Sequence, residues 1–292
     1  MSRQAIGNTE TAVVAGMAAN PDGLRQQRWD LVHYLDEPAK VDGDIPASAS
    51  PFPERRIVSF GHRQDFFVFF SMLNDLVHPD HVVVDLGAGR GRSYEFGGPH
   101  LRYISGFRGR CRRLIGLDVD PVVKENPYLD EALMIGADGR FPLADESVDL
   151  IFSFAVVEHV ADPEALAREV RRVLKPGGRF CAWTPNKWGY IAIGARLIPN
   201  KMHTSALKVV EPNNRAAEDV FPALYRLNTL RAVRRYFPDQ YFQNQSFYFN
   251  GLPVYNFNRP LIAWILTIYM TLTPPVLAQG LFIFLRKLRV EA

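Results

Sequence analysis

A glycine-rich turn after a hydrophobic run is the clearest chemical signal in the sequence. The run VVVDLGAGRGR occupies residues 82–92, and its β-branched beginning is typical of a buried parallel strand. Gly87 and Gly89 follow that strand, where the lack of a side chain lets the backbone turn sharply and approach a ligand. Ligands of open α/β sheets bind beyond the carboxyl ends of the strands. The run therefore predicts a ligand site at this turn.

A carboxylate at the end of the next hydrophobic run indicates that the ligand carries a ribose. Asp118 lies near the end of RLIGLDVD (113–120), where a carboxylate can accept hydrogen bonds from both ribose hydroxyls. A solvated turn residue is the alternative interpretation of Asp118.

The details of the turn distinguish two cofactors that contain such a ribose. The dinucleotide motif G-x-G-x-x-G needs a third glycine where this chain has Arg92. Asp85 precedes the turn, where its charge favours a cationic amino-acid group and disfavours a pyrophosphate. Both features favour S-adenosylmethionine. An NAD-dependent oxidoreductase and a catalytically silent Rossmann-like binding protein remain the alternatives.

Six motifs appear in the order seen in class I (Rossmann-like) S-adenosylmethionine-dependent methyltransferases, which the sequence resembles over about residues 60–187. The motifs are DLGAGRG (85–91), GLDVD (116–120), GADGRFPL (136–143), DLIFS (149–153), EHV (158–160) and LKPGG (174–178). The resemblance is to the small-molecule methylase branch. The resemblance implies that Asp85, Gly87, Ala88 and Gly89 bind the methionine part of the cofactor, and that Asp118 and Val119 bind its ribose. It further implies that Asp138 and Gly139 contact the adenine, and that Ser153 and Phe154 line the pocket.

The segment between the turn and Asp118 is longer than the roughly 20 residues expected in such folds. We interpret residues 93–113 as an inserted loop or helix extension that carries basic residues to the mouth of the site. An anionic acceptor could bind there, and a solvated basic face is the alternative. The basic residues are Arg102, Arg108, Arg110, Arg112 and Arg113.

The residues AVVEH (155–159) are the candidates for catalysis. Some methylases of this family carry E-x-x-E-H here and bind a divalent metal, but Ala155 occupies the first position. Glu158 and His159 alone form a poor metal site unless His203 or another group completes it, so no metal is predicted. Histidine exchanges protons near neutral pH, which makes His159 the candidate general base for O-methylation, with Glu158 beside it. The alternative is that both residues only fix the loop.

The acceptor is expected to contact residues beyond the fifth predicted strand. Asn186, Trp188 and Tyr190 lie in TPNKWGY (184–190), although a turn with helix packing would explain them equally well. The aromatic and amide groups of 241–260 suit a small molecule, a glycan or a lipid-linked acceptor. The near balance of 34 basic and 31 acidic residues disfavours a nucleic-acid substrate.

Alternating strand and helix patterns predict the fold that positions these residues. A helix at 64–76 precedes strands at 81–87, 113–120, 132–138, 148–155 and 179–185, and a helix capped by Asp162 ends at LKPGG. The fold class is therefore α/β: a doubly wound, mostly parallel sheet in three α/β/α layers. Two late strands, 241–249 and 280–287, are expected to form an antiparallel pair.

Three regions describe the domain organisation. Residues 1–60 form an N-terminal arm or lid, 61–187 the S-adenosylmethionine-binding core, and 188–292 an acceptor-side insertion with the closing strands. The apolar run 261–272 is shorter than the roughly 20 residues that span a bilayer. It is expected to pack or to lie on the surface, where it could contact a membrane peripherally. Two isolated cysteines and no secretory signal indicate a cytoplasmic protein.

Overall fold

The computed structural model of the protein describes residues 61, 63–91, 94, 98–197, 222–251 and 260–289. The predicted N-terminal arm (1–60) and His203 lie outside these described residues. Five parallel strands form the centre of the fold in the order β3-β2-β1-β4-β5. They are β1 Val82–Leu86, β2 Arg113–Asp118, β3 Glu131–Met134, β4 Val148–Phe154 and β5 Leu174–Pro185.

Three later strands complete the sheet beside β5. They are β6 Phe242–Asn244, β7 Phe247–Phe249 and β8 Gly280–Lys287. Strand β8 runs antiparallel to β5 on one side and to β6 and β7 on the other. The predicted late antiparallel pairing is therefore confirmed, but the run 241–249 is two short strands instead of one. The Asn244 carboxamide accepts a hydrogen bond from the Ser246 amide at 2.9 Å, which forms a local turn that interrupts the strand.

Helices cover both faces of the sheet. They are α1 Asp65–Leu76, α2 Pro99–Ser105, α3 Pro163–Val173, α4 Tyr190–Leu197, α5 Leu230–Tyr236 and α6 Pro260–Leu272, with 3-10 turns at Pro121–Glu125, Val157–His159 and Pro275–Leu277. The Asp162 carboxylate caps α3 by accepting from the amides of Glu164 and Ala165 at 3.0 Å. The LKPGG motif follows the end of α3 as predicted, but it also begins β5, where the register with β4 shifts. Along the described residues, no helix combines the length and apolarity needed to cross a bilayer.

The central strands are buried on both faces because successive side chains point to opposite sides. Val82, Val84 and Leu86 of β1 pack into one core with side chains of α3 and α5. Val83 between them packs into the other core with the phenylalanines of α1 and side chains of α2. The three-layer α/β/α architecture follows from this alternation.

The inserted segment before β2 lies elsewhere than the sequence predicts. The Arg112 amide donates to the carbonyl of His81, just before β1. Arg108 pairs with Asp130 and Arg113 with Glu131, both at 3.2 Å, and Arg110 bonds to Asn74 near the end of α1. These four arginines therefore lie at the amino ends of the strands, opposite the ligand edge. The prediction that they line the mouth is wrong, because acidic and polar partners at the start of β3 and the end of α1 bind them instead.

Candidate functional site

The glycine turn after β1 has a backbone that other residues would strain. Gly87, Gly89 and Gly91 have φ angles of 82°, 45° and 83°, in the left-handed region where a Cβ is unfavourable. A Cβ on Gly87 would lie 2.4 Å from Cγ2 of Val156, whereas a Cβ on Gly89 would meet nothing within 4 Å. Packing thus requires the first glycine, and open space lies beside the second.

The Asp118 carboxylate connects the end of β2 to this turn. Its Oδ2 accepts a hydrogen bond from the Gly89 amide at 2.9 Å, and its Oδ1 accepts from the Asp120 amide at 3.0 Å. Asp118 is half-buried, and each carboxylate oxygen has a second lone pair. The structure therefore brings Asp118 and Gly89 together and leaves acceptor capacity for two ribose hydroxyls.

Asp85 is buried at the same edge of the sheet. The Tyr94 hydroxyl donates to its Oδ2 at 2.7 Å. Burial raises the pKa of Asp85 to about 7, the hydrogen bond from Tyr94 opposes this shift, and the nearby charge of Asp118 adds to it. A cation bound next to Asp85 would favour its ionised form and bring the pKa down again. The site is thus suited to a positively charged ligand.

Two residues that support the turn were missed by the sequence analysis. The buried Asn126 carboxamide donates to the carbonyls of Ala88 and Gly89 at 3.1 and 3.2 Å. Tyr94, which bonds to Asp85, lies in the inserted segment. No motif spacing points to either residue, because both contacts arise from the path of the chain after β1 and β2. Together they fix the carbonyls and the carboxylate of the turn.

The predicted adenine region is open to solvent. Val119 is 61% exposed, and the exposed Asp138 accepts a hydrogen bond from the Arg140 amide at 3.0 Å. Gly139 has a φ of 77°, and a Cβ there would meet nothing within 4 Å. A shallow cavity of about 340 Å³ adjoins these residues and is lined by Asp138, Gly139, Arg140, Ala165, Arg168, Glu169 and Arg172. An exposed carboxylate beside an open glycine suits the amino group and the edge of an adenine ring.

The residues at the end of β4 mainly shape the wall of the site. The buried Ser153 hydroxyl donates to the carbonyl of Leu86 at 2.9 Å and so joins β4 to β1. The Phe154 ring stacks on Trp183 with centroids 4.7 Å apart. Ala155 then has a φ of 58°, which turns the chain out of the strand toward Glu158 and His159.

Glu158 and His159 have different environments although they are adjacent. Glu158 is buried, and its Oε2 accepts from the Thr184 hydroxyl at 2.8 Å. His159 is partly exposed, with Nδ1 3.1 Å from the Pro222 carbonyl oxygen and Nε2 4.0 Å from a Glu158 oxygen. Because a carbonyl can only accept, Nδ1 must carry the proton in this contact, so Nε2 is the basic nitrogen of the neutral ring. The pair can hold the loop and can also accept a proton.

The three predicted acceptor residues are placed differently. Asn186 is fully buried, and its carboxamide donates to the carbonyls of Val276 and Ala278 at 2.9 and 2.8 Å. Its oxygen accepts from the Trp188 amide at 3.2 Å. Trp188 is 47% exposed, and Tyr190 is half-buried at the start of α4. An acceptor contact from Asn186 would require this loop to open, whereas Trp188 is accessible. Across the ranges that the structure describes, no three His, Cys, Asp or Glu side chains converge as metal ligands.

Comparison with known proteins identifies the central part of the chain. Residues 84–182 match a family described as a methyltransferase domain. A protein of Mycolicibacterium smegmatis named "probable S-adenosylmethionine-dependent methyltransferase" is 36% identical over 106 residues, which cover 35% of this chain and 40% of that protein.

Residues 84–182 are a class I S-adenosylmethionine-dependent methyltransferase domain. The arsenite methyltransferase of Halobacterium salinarum is 30% identical over 109 residues, covering 35% of this chain and 26% of that protein. Among solved structures, an S-adenosylmethionine-dependent methyltransferase from Mesorhizobium loti is similar with a TM-score of 0.43 and 17% identity, over 74% of this chain and 96% of that one. The chain spans less than half the length of these two curated relatives.

The methyltransferase domain has a site that fits S-adenosylmethionine, the cofactor of its family. Open space lies beside Gly89 and Gly139, and Asp118 retains lone pairs for a ribose. Burial raises the pKa of Asp85, and the neutral hydroxyl of Tyr94 donates the one side-chain hydrogen bond described for this carboxylate. A cationic cofactor would balance that carboxylate, whereas the pyrophosphate of NAD would repel it. The NAD-dependent alternative is therefore set aside.

Proposed function

We propose that the protein transfers a methyl group from S-adenosylmethionine to a hydroxyl of a small-molecule, glycan or lipid-linked acceptor. One observation carries this proposal: the Asp118 carboxylate accepts a hydrogen bond from Gly89 in the turn that follows Asp85. All three residues lie inside the matched methyltransferase domain, 84–182. The activity of the whole chain, the small-molecule branch of the family and the acceptor are parts of the proposal.

The cofactor would be held by groups on three strand ends. Asp118 would accept from the ribose hydroxyls, with Val119 against the sugar or the base. Asp85 and the glycine turn would hold the methionine part, while Asp138 and Gly139 would contact the adenine. When bound, S-adenosylmethionine supplies a methyl group activated by a positively charged sulfur. Alignment of the acceptor oxygen with that methyl group supplies much of the acceleration in such displacements.

His159 is the proposed general base. The acceptor hydroxyl would give its proton to Nε2 of His159 as its oxygen accepts the methyl group that the cofactor would supply. The contact between Nδ1 and the Pro222 carbonyl fixes the ring and its tautomer. The Glu158 carboxylate lies 4.0 Å from Nε2, the nitrogen that would receive the proton.

A catalytically silent binding protein is the second candidate, and one observation favours it. The Glu158 backbone carbonyl accepts from the amides of Leu224 and Tyr225 at 2.7 and 3.0 Å, so the 157–159 turn has a structural function independent of chemistry. Cofactor binding without turnover on a broad panel of hydroxylated acceptors would support this second candidate. Methyl transfer to any member of the panel would exclude it.

Calorimetric titration with S-adenosylhomocysteine tests the cofactor site. We expect Asp118→Asn to weaken binding about tenfold or more, because a charge-assisted hydrogen bond contributes about 1.5–3 kcal/mol. Asp120→Asn is the matched control, since Asp120 lies two residues further along and its side chain accepts from the Val122 amide. Equal affinity of the Asp118→Asn variant and the wild-type protein would refute the site assignment.

A further inference from the structure

We propose that the protein docks on an anionic lipid surface through an apolar face at the ligand edge of its sheet, and that its acceptor is an amphiphile taken from that surface. The second clause rests on the proposed function, whereas the first does not. The apolar face is defined by exposed side chains of α6, of the segment that follows it and of the loop bound to that segment: Trp188, Leu261, Trp264, Ile265, Ile268, Leu272, Val276 and Leu277.

Helix α6 presents its apolar side chains to solvent. Leu261 and Leu272 are 72% and 77% exposed, and Trp264, Ile265 and Ile268 are each about half exposed. These five positions follow the i, i+3, i+4, i+7, i+11 spacing that places side chains on one face of a helix. A contiguous exposed apolar face of this kind marks an interaction site in soluble proteins.

The face continues beyond the helix. Val276 and Leu277 follow the Pro274–Pro275 pair and are exposed. The Asn186 carboxamide binds the carbonyls of Val276 and Ala278, so the loop that carries Trp188 lies against this segment. Two separate parts of the chain therefore contribute apolar side chains to the same region.

The charge of the surrounding sequence favours an anionic lipid over other occupants. No Asp or Glu occurs in residues 186–210 or 240–290, although the chain has 31 acidic residues. Lys187 precedes Trp188, and its Nζ lies 5.9 Å from the centre of the indole ring. Apolar side chains with tryptophans and nearby cations are the features that bind helices to anionic membrane interfaces.

A second copy of the chain fits this face less well. In a twofold dimer the same patch meets itself, so Lys187 beside Trp188 would approach the like charge of its own copy. The helix is also too short to span a bilayer, for which about 20 residues are needed. It would thus lie in the plane of the membrane interface.

The position of the face connects it to the site. The Asn186 amide donates to the Gln279 carbonyl at 2.9 Å, and Gly280 pairs with Pro185 at the carboxyl end of β5. The carboxyl ends of the parallel strands form the edge where the cofactor site lies. A lipid surface bound to the apolar face would therefore adjoin the edge at which an acceptor must enter.

Vesicle co-sedimentation of the full chain tests the docking surface. We expect the wild-type protein to bind vesicles of phosphatidylcholine with about one third phosphatidylglycerol and to bind pure phosphatidylcholine less, because the charge of Lys187 contributes to affinity. The variant Ile265→Glu/Ile268→Glu should lose tenfold or more of its vesicle affinity. Gln243→Glu/Gln245→Glu is the matched control, since it adds the same charge at two exposed positions of the β6 region. The control should bind like the wild-type protein.

Three results would overturn the docking proposal: no binding of the wild-type protein to anionic vesicles, equal binding by the Ile265→Glu/Ile268→Glu variant, or equal loss in the control. A wild-type dimer that the isoleucine variant dissociates, without vesicle binding by either, would assign the face to a second copy. S-adenosylhomocysteine affinity of the isoleucine variant should stay unchanged. If vesicle binding occurs but S-adenosylhomocysteine does not bind even the wild-type protein, the proposed function fails and the docking proposal stands.

Discussion

Substitution of Gly87 and of Gly89 in the turn after β1 should distinguish an effect on packing from an effect on cofactor binding. Gly87→Ala and Gly89→Ala both place a Cβ on a backbone with positive φ, which costs about 1–2 kcal/mol for an L-residue. The new Cβ of Gly87→Ala would also lie 2.4 and 2.6 Å from the two γ carbons of Val156. Overpacking of this kind adds about 1–3 kcal/mol. We therefore expect unfolding free energies lowered by about 2–5 kcal/mol at Gly87 and about 1–2 kcal/mol at Gly89.

In the folded protein, Gly89→Ala should lower cofactor affinity more than Gly87→Ala does. The Cβ of Gly89→Ala meets no protein atom within 4 Å, so it would occupy the space proposed for the methionine part. Urea unfolding and calorimetric titration with S-adenosylhomocysteine measure the two effects on the same samples. We expect Gly89→Ala to lose about tenfold in affinity, since overpacking costs about 1–3 kcal/mol and a tenfold loss corresponds to about 1.4 kcal/mol.

A double-mutant cycle makes the packing argument refutable. Val156→Ala removes both γ carbons, so the Gly87→Ala/Val156→Ala protein should recover part of the stability that Gly87→Ala loses. If the two substitutions are additive, the clash with Val156 is not the cause of the loss. If Gly89→Ala binds S-adenosylhomocysteine like the wild-type protein, the cofactor does not face this glycine and the proposed orientation is wrong.

Two further predictions concern single ionisable residues. His159→Ala should lower the rate of methyl transfer at least about a hundredfold, the usual contribution of a general base, while the affinity for S-adenosylhomocysteine stays unchanged. His78→Ala is the control. Full activity of the His159→Ala variant would show that His159 has no catalytic role. Burial raises the pKa of Asp65 from 3.8 to about 8, so the folded protein favours the neutral carboxyl group more than the unfolded chain does. The free energy of unfolding should therefore be highest below pH 4 and should fall as the pH rises toward 8, by up to about 1.4 kcal/mol per pH unit. In urea unfolding measured from pH 4 to 8, Asp65→Asn should lose less stability with rising pH than the wild-type protein, and the loss that remains is expected from the raised pKa of Asp85. Parallel pH profiles for the variant and the wild-type protein would contradict the burial argument.

Local sequence patterns predicted the central elements well because their causes are local. The β-branched run at Val82–Leu86 and the strand Gly280–Lys287 lie within one residue of their predicted bounds, since short apolar runs rich in β-branched or aromatic residues between turn residues favour buried strands. Asp162 caps α3 because its side chain reaches the next amides of its own chain. Such contacts need no knowledge of the rest of the fold.

The parts that could not be predicted depend on contacts between distant segments. Asn126 supports the glycine turn only because the chain after β2 passes beneath it. The arginines before β2 turn away from the ligand edge because Asp130 and Glu131 lie at the start of β3. Asn186 resembles a surface residue of a polar loop, yet it is buried because the segment before β8 closes over it. Residue types alone do not predict these contacts between distant segments.

Glu158 and His159 show how the structural and catalytic interpretations of one motif can both hold. The Glu158 carboxylate accepts from Thr184, whose hydroxyl oxygen in turn accepts from Asn228 at 2.6 Å. This buried chain of hydrogen bonds fixes the turn after β4 to the end of β5. His159 follows directly on that fixed turn, and its ring is anchored through Nδ1. A general base must keep its position relative to the acceptor within a fraction of an ångström. The anchoring that a purely structural interpretation would emphasise is therefore also what a proton acceptor at Nε2 requires.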